Sequence, residues 1–150
     1  MTGRILLLSG LPGSGKTTLA QALCAQGRAV HLRVDTIERA ICESLLAPDS
    51  AIDAGYRVAA AQAVEQAALG HDVVCDAVNA DAQGRAIWPR ADQVIWVRVP
   101  EDVRQSRIAH RGFPAYPHVW EDWPTAVRQI DGTQDPHTHA AAIWHALKTP

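Results

Sequence analysis

Lysine is nearly absent from this sequence. Lys16 and Lys148 are the only two in 150 residues, and arginine carries the rest of the positive charge. The formal net charge of -2 and a pI near 6.4 exclude a protein that coats nucleic acid or an anionic membrane through bulk charge, so any anion must be held locally. A membrane span needs roughly 18 consecutive apolar residues. No run here approaches that, and the first residues lack a basic stretch leading into an apolar one. The expectation is a cytoplasmic protein without a membrane partner. Cys24, Cys42 and Cys75 are odd in number, form no C-x-x-C pair and sit among apolar neighbours, which predicts free thiols and no zinc site. Repeats, low-complexity tracts and linkers rich in Pro, Gly or Ser are also missing, so residues 1–150 are expected to form a single domain.

What is present alternates. Apolar runs bounded by turn residues fall at Ile5 to Leu8, Ala29 to Val34, Val73 to Cys75 and Val94 to Val99, with a weaker one at Val127 to Ile130. Between them, Lys16 to Ala25, Thr36 to Leu46, Ala51 to Leu69, Glu101 to Arg111 and a last stretch from about Asp135 to Leu147 carry apolar residues at helical spacing. Strand-helix alternation predicts an α/β fold: a three-layer α/β/α sandwich around a mainly parallel five-stranded sheet, with ligands at the carboxyl ends of the strands.

One of the two lysines lies at the first strand-to-helix junction. Gly10, Leu11, Pro12, Gly13, Ser14, Gly15, Lys16 and Thr17 fit G-x-x-x-x-G-K-[ST], with Thr18 following. This is the phosphate loop of the P-loop NTPase fold. Its glycines let the backbone wrap a polyphosphate so that amides of residues 13 to 18 point inward, and the following helix adds its positive end. Lys16 would reach the β and γ phosphates, and Thr17 would hold magnesium through its hydroxyl. ATP and Mg2+ are thus the expected cofactors. A GTPase would need an Asn-Lys-x-Asp guanine reader, and the nearest match, Asn79-Ala80-Asp81, lacks the lysine. A ring-forming motor would bring a longer chain with a helical lid domain. A small kinase fits best.

The chain resembles the small P-loop kinases of the shikimate kinase, gluconate kinase and chloramphenicol phosphotransferase group, including short members labelled AAA-family ATPases. The likeness rests on the phosphate loop, on Asp35 in "HLRVDTIERA", on Asp76 and Arg85 in "VVCDAVNADAQGR", and on arginines four apart in "VPEDVRQSRIAHR". It covers most of the chain, and only the phosphate loop is specific by itself.

Asp35 follows a strand and precedes a helix, so its carboxylate either caps that helix or orients the proton of an attacking substrate hydroxyl, a place where related kinases keep such a residue. Asp76 ends the third strand and resembles a Walker-B acid that holds magnesium or one of its waters; a strand-end cap is the alternative, and the two acids could exchange roles. Arg107 and Arg111 share a helix face. The resemblance implies that Arg107 stacks on the adenine and that Arg111 enters a short lid, about 110–118, to touch the transferring phosphates. Charge at a helix C-terminus accounts equally for both arginines. Gly112, Pro114 and Pro117 punctuate that lid.

On the acceptor side the resemblance points to the Ala51 to Leu69 helix, where Tyr56 and Arg57 lie near the start, and to Asn79 and Arg85. Asp35, Arg57, Asn79 and Arg85 are the candidate substrate-binding residues. Trp88, Trp96, Trp120, Trp123 and Trp144 are expected to pack the core. Gly132 and Thr133 follow the last strand, where related kinases pass the adenine over backbone. His137, His139 and His145 lack the shared face and the acid or cysteine partners that a tetrahedral metal site needs.

These readings converge on an ATP- and magnesium-dependent phosphotransferase that moves the γ-phosphate to an alcohol group of a small molecule, with Lys16, Asp35 and Arg111 as catalytic residues. Two alternatives stand beside it: a non-catalytic nucleotide-binding switch module and a 5′-hydroxyl nucleic-acid kinase. The latter wants a basic channel, and the arginines form no dense cluster, so nucleic acid is not an expected partner.

Overall fold

In a computed structural model the chain is described over residues 1–51, 53–112 and 118–148. Five strands, β1 (Ile5–Ser9), β2 (Val30–Arg33), β3 (Val73–Asp76), β4 (Gln93–Arg98) and β5 (Arg128–Asp131), pair in the order β2-β3-β1-β4-β5, and every pairing is parallel. The central position of β1 explains its sequence. A strand covered on both faces cannot alternate polar and apolar residues, and all five residues of ILLLS are buried.

Alternation instead sorts the apolar side chains between two cores. Leu6 and Leu8 face a cluster built with helices α1 (Lys16–Gly27) and α6 (Pro136–Lys148), where the Trp144 indole also donates to Leu23 O at 3.0 Å. Ile5 and Leu7 face a second cluster formed with α3 (Ala54–Ala68) and with Val34, the first residue of α2 (Val34–Cys42). Each fully buried leucine contributes roughly 1.5–3 kcal/mol of apolar transfer. The alanines of α3 at positions 59, 60, 63 and 67 let that helix lie close to the sheet. The result is the three-layer sandwich expected, with a fully parallel sheet.

Several boundaries move. Val34 is the start of α2 and not the end of β2, and α2 stops at Cys42 where the apolar pattern had run to Leu46. Leu45 and Leu46 are fully exposed, so a longer helix would have had no surface against which to bury them. Two further helices, α4 (Ala82–Ala86) and α5 (Glu101–Arg111), complete the set of six among the described residues. The five-residue α4 escaped the sequence reading because it is too short for a period to register; the Asp81 carboxylate caps it, accepting from Gly84 N at 2.7 Å. Most of the expected lid, 113–117 with Pro114 and Pro117, lies outside the described residues.

Candidate active site

The phosphate loop joins β1 to α1 at the carboxyl edge of the sheet. Gly10, Gly13 and Gly15 have φ of +151°, +85° and +96°, a region that only glycine enters without strain. These three residues make the tight wrap sterically feasible. Lys16 is buried within it, and its ammonium reaches a single carbonyl, Leu11 O, at 3.3 Å. Burial lowers its pKa, and the negative charges of Asp76 and Asp35 work against that shift. The Ser14 hydroxyl is buried without a hydrogen-bond partner. A buried cation and an unpaired hydroxyl in one glycine cradle are costly unless an anion completes them.

At the entrance to α1 the Thr17 hydroxyl donates to Asp76 Oδ2 at 2.7 Å. Asp76 is only 3% exposed, with His31 Nε2 at 3.4 Å and Arg33 Nε at 3.9 Å. Burial pushes its carboxyl up, but His31, the Lys16 charge and the Thr17 bond outweigh burial and hold the group below the usual carboxylate range. A hydroxyl and one carboxylate fit magnesium, which commonly takes one or two protein oxygens and completes its shell with phosphate oxygens and water. No cluster of three or more His, Cys, Asp or Glu side chains suited to a metal occurs among the described residues.

Asp35 is not the cap of α2. The capping position is Arg33, without a side-chain cap bond, because the helix begins at Val34, two residues earlier than the pattern implied. Asp35 lies in the first helical turn with 62% of its side chain exposed and pairs loosely with Arg33 at 3.4 Å. It is therefore a solvent-facing carboxylate in electrostatic reach of Lys16.

A cleft of about 680 Å³ opens on the other side of the loop, lined by Gly15, Thr18, Arg107, Arg111, Gly132 and Thr133 among others. Helix α5 straps the loop here. Arg107 donates to Gly13 O at 3.2 Å and Gly132 O at 3.0 Å, and Arg104 donates to Pro12 O at 3.3 Å. Arg104 was not a sequence candidate; its place one turn before Arg107 was the available signal. Gly132 passes so near the loop that a Cβ would stand 2.0 Å from Ser14 O, so no larger residue fits without displacing backbone. The Thr133 hydroxyl and amide both bind the Asp131 carboxylate, at 2.6 Å and 2.9 Å. Arg111 is exposed at the rim, and its charge acts on Lys16.

The acceptor side corrects several expectations. Asn79 is fully buried at φ +52°, its amide donating to Leu8 O and Ser9 Oγ and its carbonyl oxygen accepting from Trp88 Nε1 at 2.8 Å. Its polar atoms are saturated within the scaffold, which removes it from substrate contact. Arg85 is equally committed: it donates to the carbonyls of Asn79, Ala80, Glu121 and Asp122, and its guanidinium lies 4.0 Å from the Trp123 ring centroid and 5.2 Å from that of Trp120. Arg57 is two-thirds exposed and pairs with Asp53 at 2.6 Å. Trp88 and Trp144 pack the core as expected. The other three tryptophans do not: Trp96 stacks on Trp120 at 4.9 Å, and Arg98 lies over Trp96 at 4.4 Å, extending the ladder that Arg85 begins. Glu38, one turn after Asp35, had escaped notice. It packs against Gly55, and burial together with the Asp35 charge raises its carboxyl pKa.

The AAA domain family matches over residues 5–129. No curated protein matches the chain. Among solved structures, the Mycobacterium tuberculosis APS kinase in complex with AMPPNP and APS superposes with a TM-score of 0.77 at 15% identity, covering 99% of each chain. Shikimate kinase from Acinetobacter baumannii, in complex with shikimate, gives 0.67 at 16% identity, covering 99% of this chain and 97% of that one. A gluconokinase from Sinorhizobium meliloti 1021 gives 0.64 at 19% identity, covering 97% and 93%. The chain shares the fold of the small P-loop kinases over nearly its whole length.

Proposed function

The chain belongs to the AAA domain family, and from that premise we propose that it is an ATP- and magnesium-dependent phosphotransferase acting on a hydroxyl group of a small molecule. One observation carries the reading: Lys16, buried in the glycine cradle, is within electrostatic reach both of Asp76, which Thr17 bonds, and of the exposed Asp35. A polyphosphate held by the loop would present its γ-phosphate between these groups.

In this proposal the loop residues Gly10 to Thr18 hold the phosphates. Lys16 neutralises charge on the β and γ oxygens, and Arg111 meets the charge that develops on the transferring oxygens. Thr17 and Asp76 hold magnesium, which when bound screens the phosphate charge. Asp35 accepts the proton of the attacking hydroxyl. Arg107, Gly132 and Thr133 line the cleft that takes the base. The 1–150 chain acts as one catalytic unit.

The test is ADP release with magnesium and ATP across a panel of hydroxyl compounds, beside a thermal-shift measurement with nucleotide alone. Acceptor-dependent release supports the phosphotransferase. Nucleotide stabilisation without acceptor-dependent release by any compound would support a binding module instead.

A further inference from the structure

Helix α5 holds the phosphate loop from outside. Arg104 Nη1 donates to Pro12 O at 3.3 Å and Arg107 Nη1 to Gly13 O at 3.2 Å, so two successive carbonyls of the loop are fixed by arginines one turn apart. The helix lies against the loop there: a Cβ on Gly13 would stand 3.0 Å from Arg104 O and 3.3 Å from Ile108 Cγ1. Arg104 is itself braced, forking onto the Glu101 carboxylate through Nε at 2.8 Å and Nη2 at 2.6 Å. Arg107 reaches further. Its Nη2 donates to Gly132 O at 3.0 Å, and Gly132 N donates in turn to Arg98 O, at the end of β4, at 2.7 Å. One planar guanidinium thus ties the loop to a segment that the sheet already holds.

These anchors set which way the loop amides point. In a trans peptide the carbonyl and the following N–H face opposite sides, so turning the Pro12 and Gly13 carbonyls out to α5 turns the Gly13 and Ser14 amides away from it. The inner side is marked by Leu11 O, which accepts from Ser14 N at 3.1 Å and from the Lys16 ammonium at 3.3 Å. Those are donors that a phosphate oxygen would engage. With Gly10, Gly13 and Gly15 all at positive φ, the loop is built from residues that lose the most freedom on ordering, and bonds from outside must hold its shape.

Resting on the reading of this loop as the phosphate site, we infer that Arg107 is a positioning residue: by bridging Gly13 O and Gly132 O it holds the loop in its anion-binding shape, and so it governs the affinity for the polyphosphate itself as well as for the base. An arginine that only stacked on the base would leave the affinity of the loop unchanged. An arginine that acted only by its charge would be replaceable by lysine, which has no planar fork to span two carbonyls.

The experiment measures, by calorimetry with magnesium, the Kd of inorganic tripolyphosphate, which carries phosphates and no base, beside that of ATP for wild-type protein, Arg107→Ala and Arg107→Lys, well below each melting temperature. Arg107→Ala should weaken tripolyphosphate binding by about 10-fold, and Arg107→Lys should recover little of that loss. A role in fold stability alone would lower the melting temperature and leave both constants at the parental value. Tripolyphosphate bound by Arg107→Ala as tightly as by the parent, or binding restored in full by lysine, overturns the inference. If Arg107→Ala does not fold, the lysine variant decides: a weakened tripolyphosphate constant supports the bridge and a parental one overturns it. Because the readout is binding, missing acceptor-dependent ADP release would remove the phosphotransferase and leave this inference standing, whereas wild-type protein that binds neither tripolyphosphate nor ATP removes this inference.

Discussion

Thr17 Oγ1 donates to Asp76 Oδ2 across 2.7 Å, tying the first turn of α1 to the end of β3, residues 59 positions apart in sequence. The pair ties the helix that follows the phosphate loop to the sheet. Asp76→Asn should therefore weaken the magnesium dependence of nucleotide binding, whereas Asp35→Asn, lost from an exposed position, should leave binding nearly intact and lower turnover by roughly 10²- to 10⁴-fold. Magnesium titrations of ATP binding beside kcat would show the separation, and the reverse pattern would exchange the two roles.

Lys16→Ala should abolish most of the thermal stabilisation given by ATP and magnesium while leaving the free protein folded. The free protein should even gain slightly, since it no longer buries an ammonium against a single carbonyl. Equal shifts in variant and parent would show that the loop holds no phosphate.

Arg107 and Arg111 share a face of α5 but differ in setting, one bonded to two carbonyls and the other exposed at the rim. Arg111→Ala should lower turnover by about 10²-fold or more with a modest change in ATP affinity, and lysine should rescue it poorly. Arg107→Ala should raise the apparent ATP constant and spare turnover. Kinetics at varied ATP separate the two, and equal losses confined to ATP affinity would count against the Arg111 role.

Asn79→Ala should destabilise the protein by about 3 kcal/mol, because it strands the Trp88 indole N–H in the core and places alanine at a positive φ. Arg85→Ala should cost about 1–3 kcal/mol through the carbonyls that it deserts. Chemical denaturation of both variants checks this, and unchanged stability would return these residues to the list of substrate contacts.

The thiols give a pH prediction. Burial pushes Cys75 up to about 12 and Cys24 up to about 11, so neither supplies appreciable thiolate near pH 8 in the folded state. A raised thiol pKa makes the neutral form the native one, so this contribution to stability holds at neutral pH and is lost as pH rises past the ordinary thiol range toward those values. Alkylation at pH 8 should spare both cysteines until denaturant is added, with mass spectrometry locating the label.

The sequence by itself determined the strand-helix order apart from the short α4, the parallel sheet and the phosphate loop, because each depends on residues adjacent in the chain: continuous apolar runs, helical spacing, and glycines where φ must be positive. It also placed Asp76 and Thr17, since a strand end and a helix start in this order face the same edge. Tertiary structure decided the rest. Whether Asn79 and Arg85 are free to meet a ligand depends on partners at Leu8, Trp88, Glu121 and Asp122, and no local pattern announces which carbonyl will claim a guanidinium. Three tryptophans became a cation-stacked ladder and not core for the same reason. Gly132 acquires its meaning only where its loop passes Ser14. Local sequence governs backbone conformation over a few residues, but the availability of a polar side chain is settled by which distant groups the fold brings within hydrogen-bonding distance.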